Sequence, residues 1–157
     1  MTPQVSSILI SCNRNHDRYG CYRHRLVGDS RPDFQGPLAG LEAARLNIAT
    51  EFTLICPCDT PLLPADLAVR LLRGFASPAA EQPDISYASD GERGQYLCAL
   101  IRTACLATIS DYLDQGRRSV RGWYQLQTAQ QVDFSDSPDA FRNFNYIDAA
   151  HRPDEPL

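Results

Sequence analysis

The chain has 157 residues, of which 43% are hydrophobic and 22% charged, and its formal net charge is -4. This length suits one domain with its own core, and the acidic balance argues against general binding to nucleic acid or anionic membranes. No apolar stretch approaches the roughly 18 residues that span a bilayer, and the N-terminus lacks a basic region followed by an apolar one, which predicts a cytoplasmic protein.

The first half of the chain predicts strands that alternate with helices. Val5–Cys12 is rich in β-branched residues and predicts a strand, and Arg25–Gly28 predicts a shorter second strand. Pro37 opens a predicted helix whose apolar residues recur at three- and four-residue intervals. Phe52–Ile55 has the continuous apolar character of a central strand that is buried on both faces.

The second half continues this alternation. The predicted elements are a helix opened by Pro64, strands over Ile85–Ser89 and Tyr96–Ile101, helices over Thr103–Gln115 and 119–127, and a strand over Gln130–Phe134. Gly116 is placed to end the first of these two helices in a left-handed conformation. Strands that alternate with helical patterns predict an α/β protein with a mainly parallel sheet.

Six cysteines raise the question of a metal site or a disulfide framework. Their spacing fits neither, because no Cys-x-x-Cys pair occurs and the three histidines are scattered. We therefore expect reduced and mostly buried thiols, since free cysteine packs as a small hydrophobic residue.

Asp59 is the first candidate for chemistry. It follows the strand Phe52–Ile55 within Cys56–Pro61, and ligands of open α/β sheets bind beyond the carboxyl ends of the strands. A carboxylate at such a position suits a hard metal ion. The alternative is that Asp59 merely starts a turn with Thr60 and Pro61.

Polar or glycine-containing stretches stand at several predicted strand ends and helix starts. They are Ser11–Arg14, Gly28–Ser30 with Gly36–Gly40, Cys56–Pro61 and Asn143–Asn145. In this order and spacing they resemble the molybdenum cofactor guanylyltransferases, and the resemblance extends over almost the whole chain. It implies a three-layer α/β/α, Rossmann-like nucleotidyltransferase fold.

The resemblance also implies a reaction. GMP is transferred from GTP to the terminal phosphate of molybdenum-molybdopterin, which releases pyrophosphate and forms the guanine dinucleotide cofactor. The implied partners are these two small-molecule substrates and Mg²⁺, together with molybdoenzymes or other cofactor-biosynthesis proteins. Neither nucleic acid nor a membrane is implied.

The site residues carried over by the resemblance fall into two groups. Asp59 matches the catalytic, magnesium-binding and nucleotide-binding aspartate, and Asp29 matches a second nucleotide-binding aspartate. Ser11 stands where the family often has an asparagine that faces the nucleotide. Asn143 and Asn145 match the pair on the pterin side, although Asn145 could instead simply cap the last segment.

The chain departs from the family pattern at its N-terminus. It begins at what corresponds to the second strand, so the first strand, the glycine-rich phosphate loop and a lysine are expected to be missing from residues 1–157. We therefore expect an N-terminally incomplete nucleotidyltransferase domain. Two alternatives are a non-catalytic molybdopterin-binding remnant and another nucleotidyltransferase of the same fold.

Overall fold

The computed structural model describes residues 4–33, 35–76 and 82–144, and within them strands and helices alternate. The strands are β1 (Leu9–Ser11), β2 (Arg25–Val27), β3 (Phe52–Ile55), β4 (Ile85–Ser89), β5 (Gly94–Arg102) and β6 (Ala129–Asp133). The α-helices are α1 (His16–Gly20), α2 (Pro37–Arg45), α3 (Leu67–Arg73), α4 (Ile109–Asp114) and α5 (Val120–Tyr124), with 3₁₀ helices at Gly74–Ala76, Thr103–Thr108 and Pro138–Phe141. In the described part of the chain, none of these helices is long and apolar enough to cross a membrane.

The strands form two sheets. The strands β1 and β2 pair in parallel, and the second sheet has the order β3-β5-β4-β6. In the second sheet β5 runs antiparallel to both neighbours, whereas β4 and β6 are parallel. The predicted α/β class is confirmed, but the described four-stranded sheet is mixed rather than mainly parallel. The reason is that β5, the return strand of a hairpin, inserts between β4 and β3.

The strand β3 was predicted to be central and buried on both faces, and this prediction is wrong for the described residues. Among them β3 pairs only with β5, in a register that sets Phe52 opposite Arg102 and Ile55 opposite Ala99. Only Ile55 is buried, and the other three residues of β3 are half-buried. Hydrophobic content identified the strand correctly, but it did not reveal the position of the strand within the sheet.

Two hydrophobic cores lie on opposite faces of the four-stranded sheet. Alternate residues of β5 pack into one core or the other, because successive side chains of a strand point to opposite faces. Ala99 and Ile101 belong to a core with α2, α4 and α5, whereas Cys98 and Leu100 belong to a core with α3 and Phe134. The predicted arrangement of helices on both faces of a sheet is therefore confirmed.

Several predicted element ends shift in the structure. The helix expected from Pro64 begins at Leu67, because the Pro64 carbonyl instead takes part in a turn and accepts from the Leu67 N–H at 3.1 Å. The side chain of Gln4 caps this helix by accepting from the Ala68 N–H at 2.8 Å. Gly116 has a φ of 76°, which confirms the predicted left-handed helix end.

Candidate active site

Asp59 lies in the turn that follows β3. This turn is held by Thr60, a buried residue whose hydroxyl donates to the carbonyl oxygen of Pro57 at 3.2 Å. The Asp59 side chain is half-buried, and no hydrogen bond or ion pair from another described residue engages its carboxylate. Among the described residues the turn is therefore held by Thr60 and not by the Asp59 carboxylate, and the binding of a ligand by Asp59 stays a prediction.

The segment that contains Asn143 adjoins this turn. The backbone N–H of Phe144 donates to the carbonyl oxygen of Asp59 at 2.8 Å. Phe141, in the preceding 3₁₀ helix, is buried and meets the ring of Phe134 edge-on, with 5.6 Å between ring centroids. The structure therefore brings the Asp59 turn and the Asn143 segment together; Asn143 is exposed, and Asn145 lies outside the described residues.

Ser11 and Asp29 lie at the ends of the paired strands β1 and β2. Because these strands are parallel, their carboxyl ends share one edge, and Asp29 follows β2 directly after Gly28. Asn13 binds Asp29 twice: its Oδ1 accepts from the Asp29 N–H at 2.7 Å, and its Nδ2 donates to the Asp29 Oδ2 at 2.8 Å. The reciprocal pair fixes the carboxyl group and leaves its Oδ1 for another partner.

Gly40 of α2 contacts both of these residues. A methyl group at Gly40 would lie 2.5 Å from the Oγ of Ser11 and 3.5 Å from the Oδ1 of Asp29. The Ser11 hydroxyl and a carboxylate oxygen of Asp29 therefore both lie next to Gly40 of α2. A side chain at this position would enter the space between them and displace the Ser11 hydroxyl.

The loop between β4 and β5 is the third feature of the site. Since β3 and β4 are both antiparallel to β5, their carboxyl ends lie at one edge, and this loop shares the edge with the Asp59 turn. The Asp90 carboxylate accepts from the N–H groups of Glu92 and Arg93 at 3.0 and 2.8 Å and from Gln95 at 2.7 Å. These bonds lower the pKa of Asp90, the one from Arg93 most. Asp90 thus shapes the loop, whereas Glu92 and Arg93 are exposed.

Two of the depressions on the surface of the described residues bear on the site. One, of about 220 Å³, is lined by Asn13, Asp29, Arg31, Pro32 and Asp33, and it includes the predicted nucleotide-binding aspartate. The other, of about 340 Å³, lies between the end of α3 and β6 and contains none of the predicted site residues. Of these two depressions, the smaller one includes a residue that the sequence predicts to bind the nucleotide.

Three features mark the candidate site: the Asp59 carboxylate after β3, the Ser11–Asp29 pair after β1 and β2, and Gly40 in α2. Comparisons with known proteins assign the chain to a family. Residues 1–131 match the family described as the MobA-like NTP transferase domain. The chain belongs to this family. The predicted membership of a nucleotidyltransferase family is thereby confirmed.

Relatives of this MobA-like chain carry a consistent name. A protein of Shewanella halifaxensis is 40% identical over 143 residues, which cover 91% of this chain and 70% of the relative, and one of Shewanella pealeana is 39% identical with the same coverage. Both are named molybdenum cofactor guanylyltransferase.

Solved structures share the fold. Protein Aq1419 of Aquifex aeolicus VF5 has a TM-score of 0.74 at 15% identity, and the match covers 90% of this chain and 72% of that one. Molybdopterin-guanine dinucleotide biosynthesis protein A of Archaeoglobus fulgidus has a TM-score of 0.68 at 15% identity, with coverage of 89% and 73%. At this identity the likeness supports the fold alone.

The residues of this MobA-like chain fit a magnesium ion held jointly with a substrate. The described residues contain no group of three or more His, Cys, Asp or Glu side chains that could hold a metal by themselves. A single free carboxylate such as that of Asp59 is nevertheless the usual protein contribution to a Mg²⁺ site, where phosphate oxygens and waters complete the octahedron.

The thiols of Cys56 and Cys98, near the Asp59 turn, are poor candidates for metal ligands or nucleophiles. All six cysteines are free, and three of them, Cys12, Cys98 and Cys105, are buried. Burial raises the pKa of Cys56 to about 11 and that of Cys98 to about 12, and the nearby Asp59 carboxylate adds to the effect at Cys98. These two thiols are therefore protonated at neutral pH, as expected of cysteines that pack as apolar residues.

Sequence reasoning did not assign a role to Asn13 or Gly40. Both lay within stretches that carried the family resemblance, but their tasks depend on contacts with residues distant in the sequence. The local signal that could have indicated Asn13 is an amide side chain placed shortly after a strand end. Such a side chain can offer a donor and an acceptor at once.

Proposed function

We propose that this chain transfers GMP from GTP to the phosphate of molybdenum-molybdopterin, releasing pyrophosphate. The hydrogen bond from Phe144 to Asp59 carries this proposal, because it joins the predicted metal-binding turn to the predicted pterin-binding segment. The names of the Shewanella relatives support the same activity. The depression beside Asp29 supports the proposal that the nucleoside binds apart from the pterin.

The reaction requires positioning more than proton transfer. A phosphate oxygen of molybdopterin forms a bond to the α-phosphorus of GTP, while the bond from that phosphorus to the oxygen bridging to the β-phosphate breaks. Pyrophosphate leaves with the bonding electron pair. Since the attacking phosphate is already ionised at neutral pH, no general base is needed, and catalysis rests on alignment and on charge neutralisation.

Different residues of the chain orient the two substrates and neutralise their charge. Ser11 and Asp29 orient the nucleoside, with the Asp29 carboxylate held by Asn13. The amides of Asn143 and Asn145 orient the pterin, which presents both donors and acceptors. A magnesium ion bound by Asp59 would neutralise charge on the phosphates of GTP.

Calorimetric titration with GTP in the presence and absence of Mg²⁺ tests the proposal. The wild-type chain is expected to bind GTP more tightly with Mg²⁺, and Asp59→Asn is expected to weaken the Mg²⁺-dependent binding roughly tenfold or more. Asp111→Asn, which neutralises an exposed aspartate in the first turn of α4, is the matched control and should leave binding unchanged. Equal binding by wild type and Asp59→Asn would contradict the proposal.

Two further readouts separate the alternatives. Binding of molybdopterin without any binding of GTP would assign the chain a non-catalytic pterin-binding role. Release of pyrophosphate with ATP or CTP as efficiently as with GTP would instead assign another nucleotidyltransferase activity. Formation of the guanine dinucleotide from GTP and molybdenum-molybdopterin is the expected outcome.

A further inference from the structure

The loop between β2 and α2 carries Asp29 and lines the depression of about 220 Å³. Its first half is held by the reciprocal bonds between Asn13 and Asp29. Its second half contains Asp33, whose φ of 67° lies in the left-handed region that favours glycine. A strained loop of this kind keeps its shape only when other contacts hold it.

Arg31 provides those contacts. Its Nε donates to the Glu42 Oε2 at 2.6 Å and its Nη2 to the Glu42 Oε1 at 2.8 Å, which is a two-point bond to α2. Its Nη1 lies 2.7 Å from the Asp114 Oδ1, and its Nη2 donates to the Ser110 carbonyl oxygen at 3.3 Å, both in α4. The guanidinium therefore ties the loop to two helices.

Glu42 also accepts a hydrogen bond from a residue other than Arg31. The Ser110 hydroxyl donates to the Glu42 Oε1 at 2.8 Å, and the Glu42 side chain is only 12% exposed. Glu42 lies in the same helix as Gly40, which contacts Ser11 and Asp29. The Arg31–Glu42 pair thus fixes the loop relative to the part of α2 that borders the nucleotide residues.

We infer that Arg31 is a positioning residue that holds the loop so that the Asp29 carboxylate is ready for the nucleoside half of GTP. This inference rests on the proposed function. Arg31 is not assigned a contact with the phosphates, because four of its five N–H donors already bind Glu42, Asp114 and Ser110. A loop that is ordered before the ligand arrives loses no conformational entropy when the ligand binds. That entropy is lost during folding, so it does not weaken the affinity for the ligand.

The chain offers a close control for this role. Arg70 of α3 makes an equivalent two-point bond to Asp136, at 2.7 and 2.9 Å, and its side chain is 18% exposed compared with 22% for Arg31. Arg70 lines the other depression, which contains none of the predicted site residues. Arg31→Met and Arg70→Met therefore remove similar interactions, but only the first loosens the Asp29 loop.

The experiment measures the dissociation constants of GTP, GMP and pyrophosphate for the wild-type chain and both variants, together with melting temperatures. Arg31→Met is expected to weaken GTP and GMP binding by the same factor, roughly tenfold, and to leave pyrophosphate binding unchanged. Arg70→Met is expected to lower the melting temperature similarly but to change no dissociation constant more than about twofold. Arg31→Lys keeps the charge without the forked geometry and should recover only part of the affinity.

The outcomes separate the inference from the proposed function. Failure of the wild-type chain to bind GTP would overturn both. Wild-type binding of GTP, combined with equal effects of Arg31→Met and Arg70→Met, would overturn the positioning role alone. If Arg31→Met does not fold, Glu42→Gln removes the charge on the other side of the same bond, and an unchanged GMP affinity in that variant would also overturn the inference.

Discussion

The backbone N–H of Phe144 and the carbonyl oxygen of Asp59 form a hydrogen bond of 2.8 Å. This bond depends on main-chain atoms, so side-chain changes at either position leave it in place. It holds the segment that begins at Asn143 against the turn beyond β3. The two halves of the proposed substrate site are thus connected through the backbone.

Phe144→Pro tests this connection because proline has no N–H to donate. Loss of the bond should lower the free energy of unfolding by about 1 kcal/mol and should raise the KM for molybdopterin. GTP binding measured without Mg²⁺ should stay unchanged, since Ser11 and Asp29 are untouched, whereas Mg²⁺-dependent GTP binding reports whether the Asp59 turn has moved. Phe144→Ala is the control: it keeps the N–H and removes a ring that is 43% exposed. An equal rise in KM for both variants would show that the ring matters and not the backbone bond.

Gly40→Ala tests the close approach of α2 to the nucleotide residues. The added methyl group would lie 2.5 Å from the Ser11 Oγ, so the Ser11 hydroxyl must rotate away or the helix must shift. We expect weaker GTP binding because the Ser11 hydroxyl is displaced, and destabilisation of about 1 kcal/mol, at the low end for overpacked sites. Urea unfolding and calorimetry measure the two effects.

Two companion variants make this test specific. Ser11→Ala combined with Gly40→Ala removes the Oγ that meets the new methyl group, and it should recover most of the lost stability. Gly20→Ala adds a methyl group where no atom lies within 4 Å, so it should cost nothing. No recovery in the double variant would mean that Ser11 is not the source of the conflict.

The sequence predicted those parts of the fold that depend on local signals. The strand β4 has the predicted bounds, the β4–β5 hairpin follows from Asp-Gly, and Gly116 ends its helix in the left-handed conformation. The order of the strands was not predictable in the same way. The insertion of β5 between β3 and β4 is decided by pairing between distant segments, which periodicity does not report.

The same distinction applies to the site. Asp59 could be singled out because an isolated acid after a hydrophobic strand is a local pattern. Arg31 could not, because its role is defined by Glu42 and Asp114, which belong to two different helices. Whether a charged side chain in a loop faces solvent or holds the loop in place is decided by tertiary contacts alone.

Alkylation of the exposed thiols tests how close Cys58 is to the ligand. Cys58 and Cys21 are both exposed, but only Cys58 precedes Asp59 directly. Iodoacetamide should modify both and should weaken GTP binding in the wild-type chain, because the added group crowds the Asp59 turn. Cys58→Ser should protect against this loss, whereas Cys21→Ser should not. Protection by Cys21→Ser would place the sensitive thiol elsewhere.

Acid should remove the stabilisation that Glu42 gives to the Asp29 loop. The hydrogen bonds from Arg31, followed by that from Ser110, hold the pKa of Glu42 below its ordinary value of 4.5, although burial opposes them. A carboxyl group with a lowered folded-state pKa stabilises the protein fully above its unfolded-state pKa. This contribution disappears as the pH falls through the folded-state pKa.

The difference in unfolding free energy between wild type and Glu42→Gln should therefore be on the order of 1 kcal/mol at pH 7. It should shrink steadily once the pH drops below about 4.5, because protonated Glu42 no longer pairs with Arg31 as an ion. Asp90 also has a lowered pKa, but it is present in both proteins and cancels in the difference. Urea unfolding from pH 7 down to pH 3 measures the effect, and a difference that stays constant over this range would show that the charge of Glu42 does not stabilise the loop.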